Sequence, residues 1–131
     1  PTATKLIFDA DPNVNGTGDF VAYLWASVPG ICDIGSYTGN GAGSGIKVDC
    51  GFTNGARFVL VKRADDTGNW LYFDTLRGKD QTLALNLNDA QKFGEVWPPY
   101  APGFQANETS THGDLWNPNV DGAEYIYMAI A

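Results

Sequence analysis

The sequence predicts an all-β protein, an antiparallel β-sandwich of the jelly-roll or concanavalin-like kind with at most one short helix. Three observations predict this fold. Runs of aromatic and β-branched residues recur along the chain, and turn-forming residues separate them at about every eight to twelve positions. Glycine is abundant at 16 residues, and 13% of all residues are aromatic. Helix-forming residues are concentrated in one region, which favours strands joined by tight turns.

The clearest pair of strands is a hairpin in the middle of the chain. Arg57–Arg63 and Trp70–Phe73 are runs of strand-forming residues, and Asp65–Asn69 between them is rich in turn formers. Side chains alternate between the two faces of a strand, and both faces of the first run are mostly apolar. This pattern predicts a central strand that is covered on both sides.

The remaining elements follow from shorter patterns. The other predicted strands are Lys5–Phe8, Phe20–Ala26, Ile31–Tyr37, Ile46–Cys50, a strand beginning at Thr82, Phe104–Glu108 and Glu124–Ala131. Asn88–Lys92 predicts the single helical turn, with Asn88 as its N-cap. Prolines exclude the loop Val96–Gly103 from a sheet interior. Trp25 and Trp70 lie in predicted strands and are expected in the core.

Composition excludes several classes of function. The net charge of −7 and the pI near 4.3 argue against nucleic-acid binding, which needs a basic face, and disfavour an anionic membrane surface. The sequence has no apolar run long enough for a membrane span. A length of 131 residues predicts one β-sandwich domain over residues 1–131. The first residues include neither an initiator methionine nor a signal peptide, which predicts a fragment or a processed piece.

The metal-binding patterns are weak. Cys32 and Cys50 form either a disulfide or two free thiols, and with the single His112 they are too few for a four-ligand zinc site. Oxygen-bearing side chains alternate as in the start of a calcium loop at Asp9, Asp11, Asn13 and Asn15, and a second weak cluster is Asp65, Asp66 and Asn69. Neither is followed by the required glutamate, so we expect solvated turns, no metal and no cofactor.

One pattern occurs twice in the chain. Asn13–Gly16 precedes Phe20–Ala26, and Asn119–Gly122 precedes Tyr125–Ala131. Each is an Asn-Val-Asx-Gly turn followed by an aromatic-led strand that ends in alanine. Either two hairpins of one sandwich are alike by chance, or residues 1–27 are the closing strands of a preceding repeat copy.

Several segments together resemble a known kind of domain. They are Gly35–Gly41, Gly51-Phe52, Arg57–Arg63, Gly68–Trp70, Phe73–Gly78, Leu85-Asn86, Gly103-Phe104 and Tyr125–Ala131. In this order they resemble an uncharacterised β-sandwich domain in structural proteins of tailed bacteriophages, many from marine and cyanobacterial hosts. The resemblance covers about three quarters of the chain and does not include the Val96–Pro102 loop.

The resemblance implies a virion protein without known catalysis. The expected function is a non-enzymatic module of a tail fibre or other appendage, in assembly or in adhesion to a host-surface glycan or protein. Its expected partners are other virion proteins, including further copies in a homotrimer, and its expected location is the virion, after assembly in the host cytoplasm. A capsid or neck decoration protein is the alternative.

Loop aromatics are the predicted binding residues. Trp97, Tyr100 and Trp116 lie in segments too rich in proline, glycine and asparagine for strand interiors, and exposed aromatics of this kind bind glycans and proteins. Asp74 and Arg77 are spaced to form an ion pair that fixes the turn after the hairpin, so we predict a structural role for them.

An enzyme is the rival from another class. A carbohydrate-active enzyme on a lectin-like sandwich would pair Asp74 with Glu95 or Glu108, and His112 would need Ser110 or Asp114 as a partner. No local motif supports either arrangement. The sequence therefore predicts no catalytic residues.

Overall fold

The structure is a computed structural model that describes residues 7, 11–94, 96–108 and 113–131. Apart from Ile7, the predicted strand Lys5–Phe8 lies outside these residues, as do Asp9, Glu95 and His112. No helix in the described part is both long enough and apolar enough to cross a bilayer.

The described part contains two short helical elements and eight strands. The helical elements are α1 (Pro12–Asn15) and a 3-10 turn (Asp114–Trp116). The strands are β1 (Cys32–Thr38), β2 (Ile46–Asp49), β3 (Phe58–Arg63), β4 (Trp70–Asp74), β5 (Gln81–Ala84), β6 (Lys92–Phe93), β7 (Gly103–Ala106) and β8 (Glu124–Ile130).

These strands form two antiparallel sheets. The larger has the order β1-β8-β3-β4-β5-β6, and the smaller pairs β2 with β7. The last strand of the chain, β8, lies between β1 and β3, so that Tyr127 is opposite Gly35 on one side and Val61 on the other. The predicted all-β, sandwich-like fold is confirmed. The jelly-roll or concanavalin-like connection stays a prediction.

The core lies between the two sheets. Val59 and Val61 of β3 are 0% and 1% exposed, and Phe104 of β7 faces them from the smaller sheet. The Phe104 ring meets the Tyr127 ring edge-on, with centroids 5.1 Å apart. Burying such a side chain stabilises the fold by about 1.5–3 kcal/mol. The predicted hairpin is confirmed, because β3 pairs with β4 along its length and lies centrally in the large sheet.

Phe20–Ala26 does not form the predicted buried strand. No regular element covers these residues, and Trp25 remains 63% exposed. The reason lies in the tertiary structure, because the position beside β1 in the sheet is taken by β8, which comes from the far end of the sequence. The expected core position of Trp70 is also wrong. Its neighbours Leu71 and Phe73 point into the core, and strand alternation turns Trp70 outward at 41% exposure.

The helical turn is also misplaced. Residues 88–91 are irregular, and Lys92 pairs as part of β6 with Thr82 of β5. The helix instead begins at Pro12, where the Asp11 side chain accepts a hydrogen bond of 2.8 Å from the Asn13 backbone N–H. An aspartate N-cap followed by proline in the first turn favours helix initiation, and this local signal was present in the sequence.

Candidate interaction surfaces

The outer face of the large sheet, which points away from the smaller sheet, carries a row of apolar side chains across its middle. The strand register places half-buried apolar side chains opposite one another across five strands, and we call this set the outer row: Ile34, Met128, Leu60, Tyr72 and Leu83. A sheet with one face in water usually carries polar side chains there. This face therefore has the composition of a surface that contacts another apolar surface.

A groove beside the outer row is open to solvent. Lys62 is opposite Ile126 on one side and Trp70 on the other, and these two apolar residues are 46% and 41% exposed. Trp25 also lines this groove, which has a volume of about 280 Å³ and which we call the outer groove. Lys62 is the only charged residue that lines it among the described residues.

Residues 20–26, which we call the apolar segment, extend this surface. The exposed fractions are 52% for Phe20, 79% for Val21, 74% for Tyr23 and 71% for Leu24. The rings of Tyr23 and Trp25 stack at 6.0 Å with an interplanar angle of 26°. The segment is therefore an exposed apolar ridge in which two rings contact each other, rather than a polar loop.

The apolar segment joins the sheet at the edge of β1. Val28 and Cys32 form an isolated bridge, with mutual backbone hydrogen bonds of 2.8 and 3.0 Å. The next backbone N–H that points to this edge of β1 is that of Ile34. It donates to the Ser27 hydroxyl at 2.9 Å rather than to a backbone carbonyl. The backbone ladder thus ends at Ser27, and the apolar segment does not continue it along β1, although Trp25 still lines the outer groove of its own chain.

A second site lies under the proline-rich loop. Trp97 and Tyr100 line one pocket of about 230 Å³, whose mouth carries Asn54, Thr75 and Lys79. Lys47 lies over the Tyr100 ring, 5.4 Å from its centre. We call this site the proline-loop pocket. Its aromatic walls and polar mouth are typical of a small-ligand site.

The expected exposure of Trp97 is wrong. The indole is 1% exposed, stacks on Phe73 at 5.5 Å, and donates from Nε1 to the Thr82 hydroxyl at 2.8 Å. A buried indole N–H needs such a partner, and the core supplies it. Trp97 therefore forms the floor of the pocket, and Tyr100, which is half-buried, is the aromatic nearer to solvent. Their assignment as ligand-binding residues stays a prediction.

Trp116 is likewise buried, at 8% exposure, and does not line this pocket. It lies in the 3-10 turn, and the Lys92 ammonium is 5.2 Å from its ring centre. A cation at this distance over an indole is attracted by the ring electrons. The structure thus brings Trp97 and Tyr100 together and leaves Trp116 elsewhere, so a ligand-binding role for Trp116 also stays a prediction.

Asp74 and Arg77 contact each other in the turn after β4. The Asp74 carboxylate accepts hydrogen bonds from the Arg77 guanidinium and, at 2.9 Å, from the Arg77 backbone N–H. The guanidinium also lies 4.9 Å from the centre of the Tyr72 ring. Both charged side chains are at most one-third exposed. This geometry fits the predicted structural role, because one carboxylate holds the backbone and the side chain of the same turn.

The two cysteines line a third pocket, together with Asp33. Both are free and half-buried. Burial, reinforced by the negative charge of Asp33, raises the pKa of the Cys50 thiol to about 12. The Tyr127 hydroxyl donates to Asp33 at 2.6 Å, and burial raises the pKa of Tyr127 as well. In the structure the two cysteines are therefore free thiols rather than a disulfide. The raised pKa keeps the Cys50 thiol protonated at neutral pH.

The described residues contain no group of three or more His, Cys, Asp or Glu side chains that could hold a metal ion. Of the predicted calcium-loop residues, Asp11 bonds to Asn13 as a helix cap. Asp65 accepts a hydrogen bond from the Arg63 guanidinium, which lowers the pKa of Asp65. His112 and Glu95 lie outside the described residues.

Sequence reasoning missed the outer groove. Its signal was present, since the strand Arg57–Arg63 is apolar on both faces, but we interpreted this as coverage on both sides. Only the pairing of β3 with β8 shows that the face with Leu60 and Ile126 is partly exposed to solvent.

These features define a class: an all-β, sandwich-like domain with a large exposed apolar surface and a separate small pocket. The chain belongs to the family described as Domain of unknown function (DUF7483), whose model matches residues 1–131. No curated protein and no solved structure matches it. The family description names no function, so the resemblance to bacteriophage appendage domains stays a prediction.

Proposed function

We propose that the chain is a non-enzymatic structural module of a bacteriophage tail fibre or another virion appendage, and that its main activity is assembly with other virion proteins. The single observation that carries the assembly role is the apolar surface formed by the outer groove and the apolar segment. Monomeric proteins rarely expose contiguous apolar patches larger than a few hundred Å². The virion location rests on the resemblance given above.

The outer groove is suited to protein contact. It joins aliphatic side chains such as Leu60 and Ile126 to the broad ring of Trp70, and tryptophan is enriched among residues that dominate interface energies. Glycan binding at this groove has less support, because sugars also need hydrogen-bonding groups and Lys62 is the one charged lining residue among those described.

Adhesion to a host glycan or protein is a second candidate function, and the proline-loop pocket favours it. Tyr100 is half-buried at this pocket, and Asn54, Thr75 and Lys79 supply hydrogen-bonding groups around it. Replacing Tyr100 with alanine should abolish binding on a glycan array if this pocket is the adhesive site, whereas Tyr72→Ala should not.

Two other functions are compatible with parts of the same structure. A capsid or neck decoration protein would use the same apolar surface at another place in the particle. A carbohydrate-active enzyme has less support, because the Asp74 carboxylate is engaged by Arg77 and is not available as a general acid or base.

Immunogold electron microscopy tests the assignment. Antibodies against the chain should label the appendages of phage particles produced by a host that expresses its gene. Label on the capsid or neck would support the decoration alternative. An absence of label from purified particles, with the protein present in the lysate, would contradict a virion role.

A further inference from the structure

We propose that the apolar segment is an exchange strand that binds the edge of β1 and the adjoining outer groove in a second copy of this chain, and that two copies associate reciprocally. The inference rests on the assembly role proposed above and names the partner in it. It does not depend on which particle, if any, contains the chain.

The first argument is the likeness between the apolar segment and β8. Both follow an Asn-Val-Asx-Gly sequence, which lies in α1 in the first case and in the turn before β8 in the second. Both then run for seven residues that begin with an aromatic and end in alanine. In this fold the second occurrence lies in β8, and its residues Tyr125–Ile130 pair with β1 at six consecutive positions. The apolar segment therefore has the sequence of a strand, and it pairs with no strand among the described residues.

The second argument is the state of the β1 edge. One side of β1 is occupied by β8, and the other carries the Val28–Cys32 bridge and the hydrogen bonds between Ser27 and Ile34 in the described part of the chain. Exposed strand edges accept strands from other chains unless something covers them. Here no described strand covers the edge beyond the bridge, and the outer row begins immediately beside it at Ile34.

The third argument is the connection between the segment and the edge. Pro29 and Gly30 form the tight turn before β1, and Gly30 has a φ of +72°. Because the ladder stops at Ser27, the segment cannot continue along its own β1 without giving up the Ser27–Ile34 hydrogen bond. Short hinges of this kind favour exchange of an element between identical protomers.

The fourth argument is area. The exposed apolar side chains that would meet are Phe20, Val21, Tyr23, Leu24, Trp25, Trp70 and Ile126. With about 150–250 Å² for a whole aromatic side chain, and somewhat less for an aliphatic one, their exposed parts sum to roughly 900 Å² per copy. A stable interface buries about 800 Å² per partner, so this surface is large enough for one.

A second copy fits better than an unrelated partner because the surface is self-complementary. Each copy carries both the ridge and the groove, and residues 20–26 contain no charged side chain. The net charge of −7 opposes association of two copies through any polar face. The apolar ridge and groove are therefore where two copies approach with least repulsion.

Light scattering after size exclusion, at several concentrations of the full chain, is the test. We expect a dimer at high concentration, and a trimer would contradict a reciprocal association of two copies. The double variant Val21→Asp and Tyr23→Asp should raise the dissociation constant at least tenfold, because it places charge in the interface. The control is Leu76→Asp, which alters a 97% exposed leucine in the β4–β5 turn and should leave association unchanged.

A second measurement separates strand exchange from simple contact. Ala22→Pro removes one backbone N–H but no large apolar side chain and should weaken association, whereas Ala22→Ser should not. Amide hydrogen exchange over residues 20–26 should slow as concentration rises. A monomer at all concentrations, an oligomer that survives the aspartate variant, or an oligomer with unprotected amides in this segment would each overturn the proposal. None of these results bears on immunogold labelling, which tests the virion role by itself.

Discussion

Asn119 anchors the turn that precedes β8. It is fully buried, its amide donates to Asn40 Oδ1 at 2.9 Å and to the Ala42 carbonyl at 3.2 Å, and its oxygen accepts from the Asn40 N–H at 2.8 Å. Replacing Asn119 with alanine removes these bonds and leaves Asn40 and Ala42 short of partners. We expect a loss of about 2–4 kcal/mol in the free energy of unfolding, measured by urea titration.

The matched control is Asn13→Ala, at the equivalent position of the first Asn-Val-Asx-Gly sequence, which lies in α1. Asn13 is exposed and bonds only to Asp11 in the described structure. We expect a change below about 0.5 kcal/mol. Equal effects of the two variants would contradict the anchoring role of Asn119.

The two tryptophans Trp97 and Trp70 should differ in what they contribute to stability. Trp97→Ala removes a buried ring that stacks on Phe73 and leaves the Thr82 hydroxyl without its donor, so we expect a cost of about 3–5 kcal/mol. Trp70→Ala removes an outward ring that is 41% exposed, and we expect less than about 1.5 kcal/mol in the monomer. Thermal unfolding at a low protein concentration compares them.

Stability should fall at alkaline pH. Burial raises the pKa values of Tyr37, Tyr125 and Tyr127, and it raises that of Cys50 to about 12. The unfolded chain then loses these protons first as pH rises, so it binds fewer protons than the folded chain and folding becomes less favourable. The stability that these protonated groups contribute is fully present below about pH 8.5, which is the ordinary pKa of a thiol in the unfolded chain. It is lost progressively as the pH rises above that value.

Urea titrations at pH 7, 9 and 10.5 measure this effect. Tyr127→Phe removes one of the groups and should flatten the decline above pH 9. A decline of unchanged steepness in Tyr127→Phe would mean that this hydroxyl does not contribute.

At the scale of elements, glycine permits the contact between β2 and β7. A side chain on Gly103 would place its Cβ 1.9 Å from the Val48 carbonyl oxygen, which is a backbone atom that cannot move aside. We therefore expect Gly103→Ala to cost about 3 kcal/mol or more, at the upper end of single-site effects, and to disrupt the pairing of β2 with β7. Gly43→Ala is the control, because nothing lies within 4 Å of its Cβ position.

Circular dichroism in the aromatic region and urea titration compare the two glycine variants. Retention of the wild-type aromatic signal by Gly103→Ala would contradict the packing described for the small sheet.

At the scale of the whole molecule, the sandwich should fold without its first residues. In the described part of 1–27, all residues whose burial is described are exposed, and the contacts with the sheet are few. A chain of residues 28–131 should therefore keep the free energy of unfolding within about 1 kcal/mol of the full chain, measured where both are monomeric. Removal of residues 119–131 deletes the strand between β1 and β3 and should abolish folding.

This pair of truncations also tests the single-domain prediction. Loss of folding in the 28–131 chain would mean that the first residues complete the core. Retention supports the view that residues 20–26 serve contacts outside their own sandwich.

The sequence by itself determined the class of fold and most strands. The hairpin of β3 and β4, and the strands β1, β2, β7 and β8, follow from apolar runs, strand-forming residues and glycine-rich turns, because these signals are local. The local sequence also predicted the contact of Asp74 with Arg77, because a spacing of three residues lets the arginine side chain reach back across the turn to the carboxylate.

Only the tertiary structure decided which apolar runs were buried. Phe20–Ala26 and Tyr125–Ala131 have the same pattern, yet β8 has a neighbouring strand on each side and the apolar segment pairs with none of the described strands. The same holds for Trp97 and Trp70, where a loop residue lies in the core and a strand residue lies outside. Burial depends on contacts between residues far apart in sequence, and periodicity records only which side chains share a face.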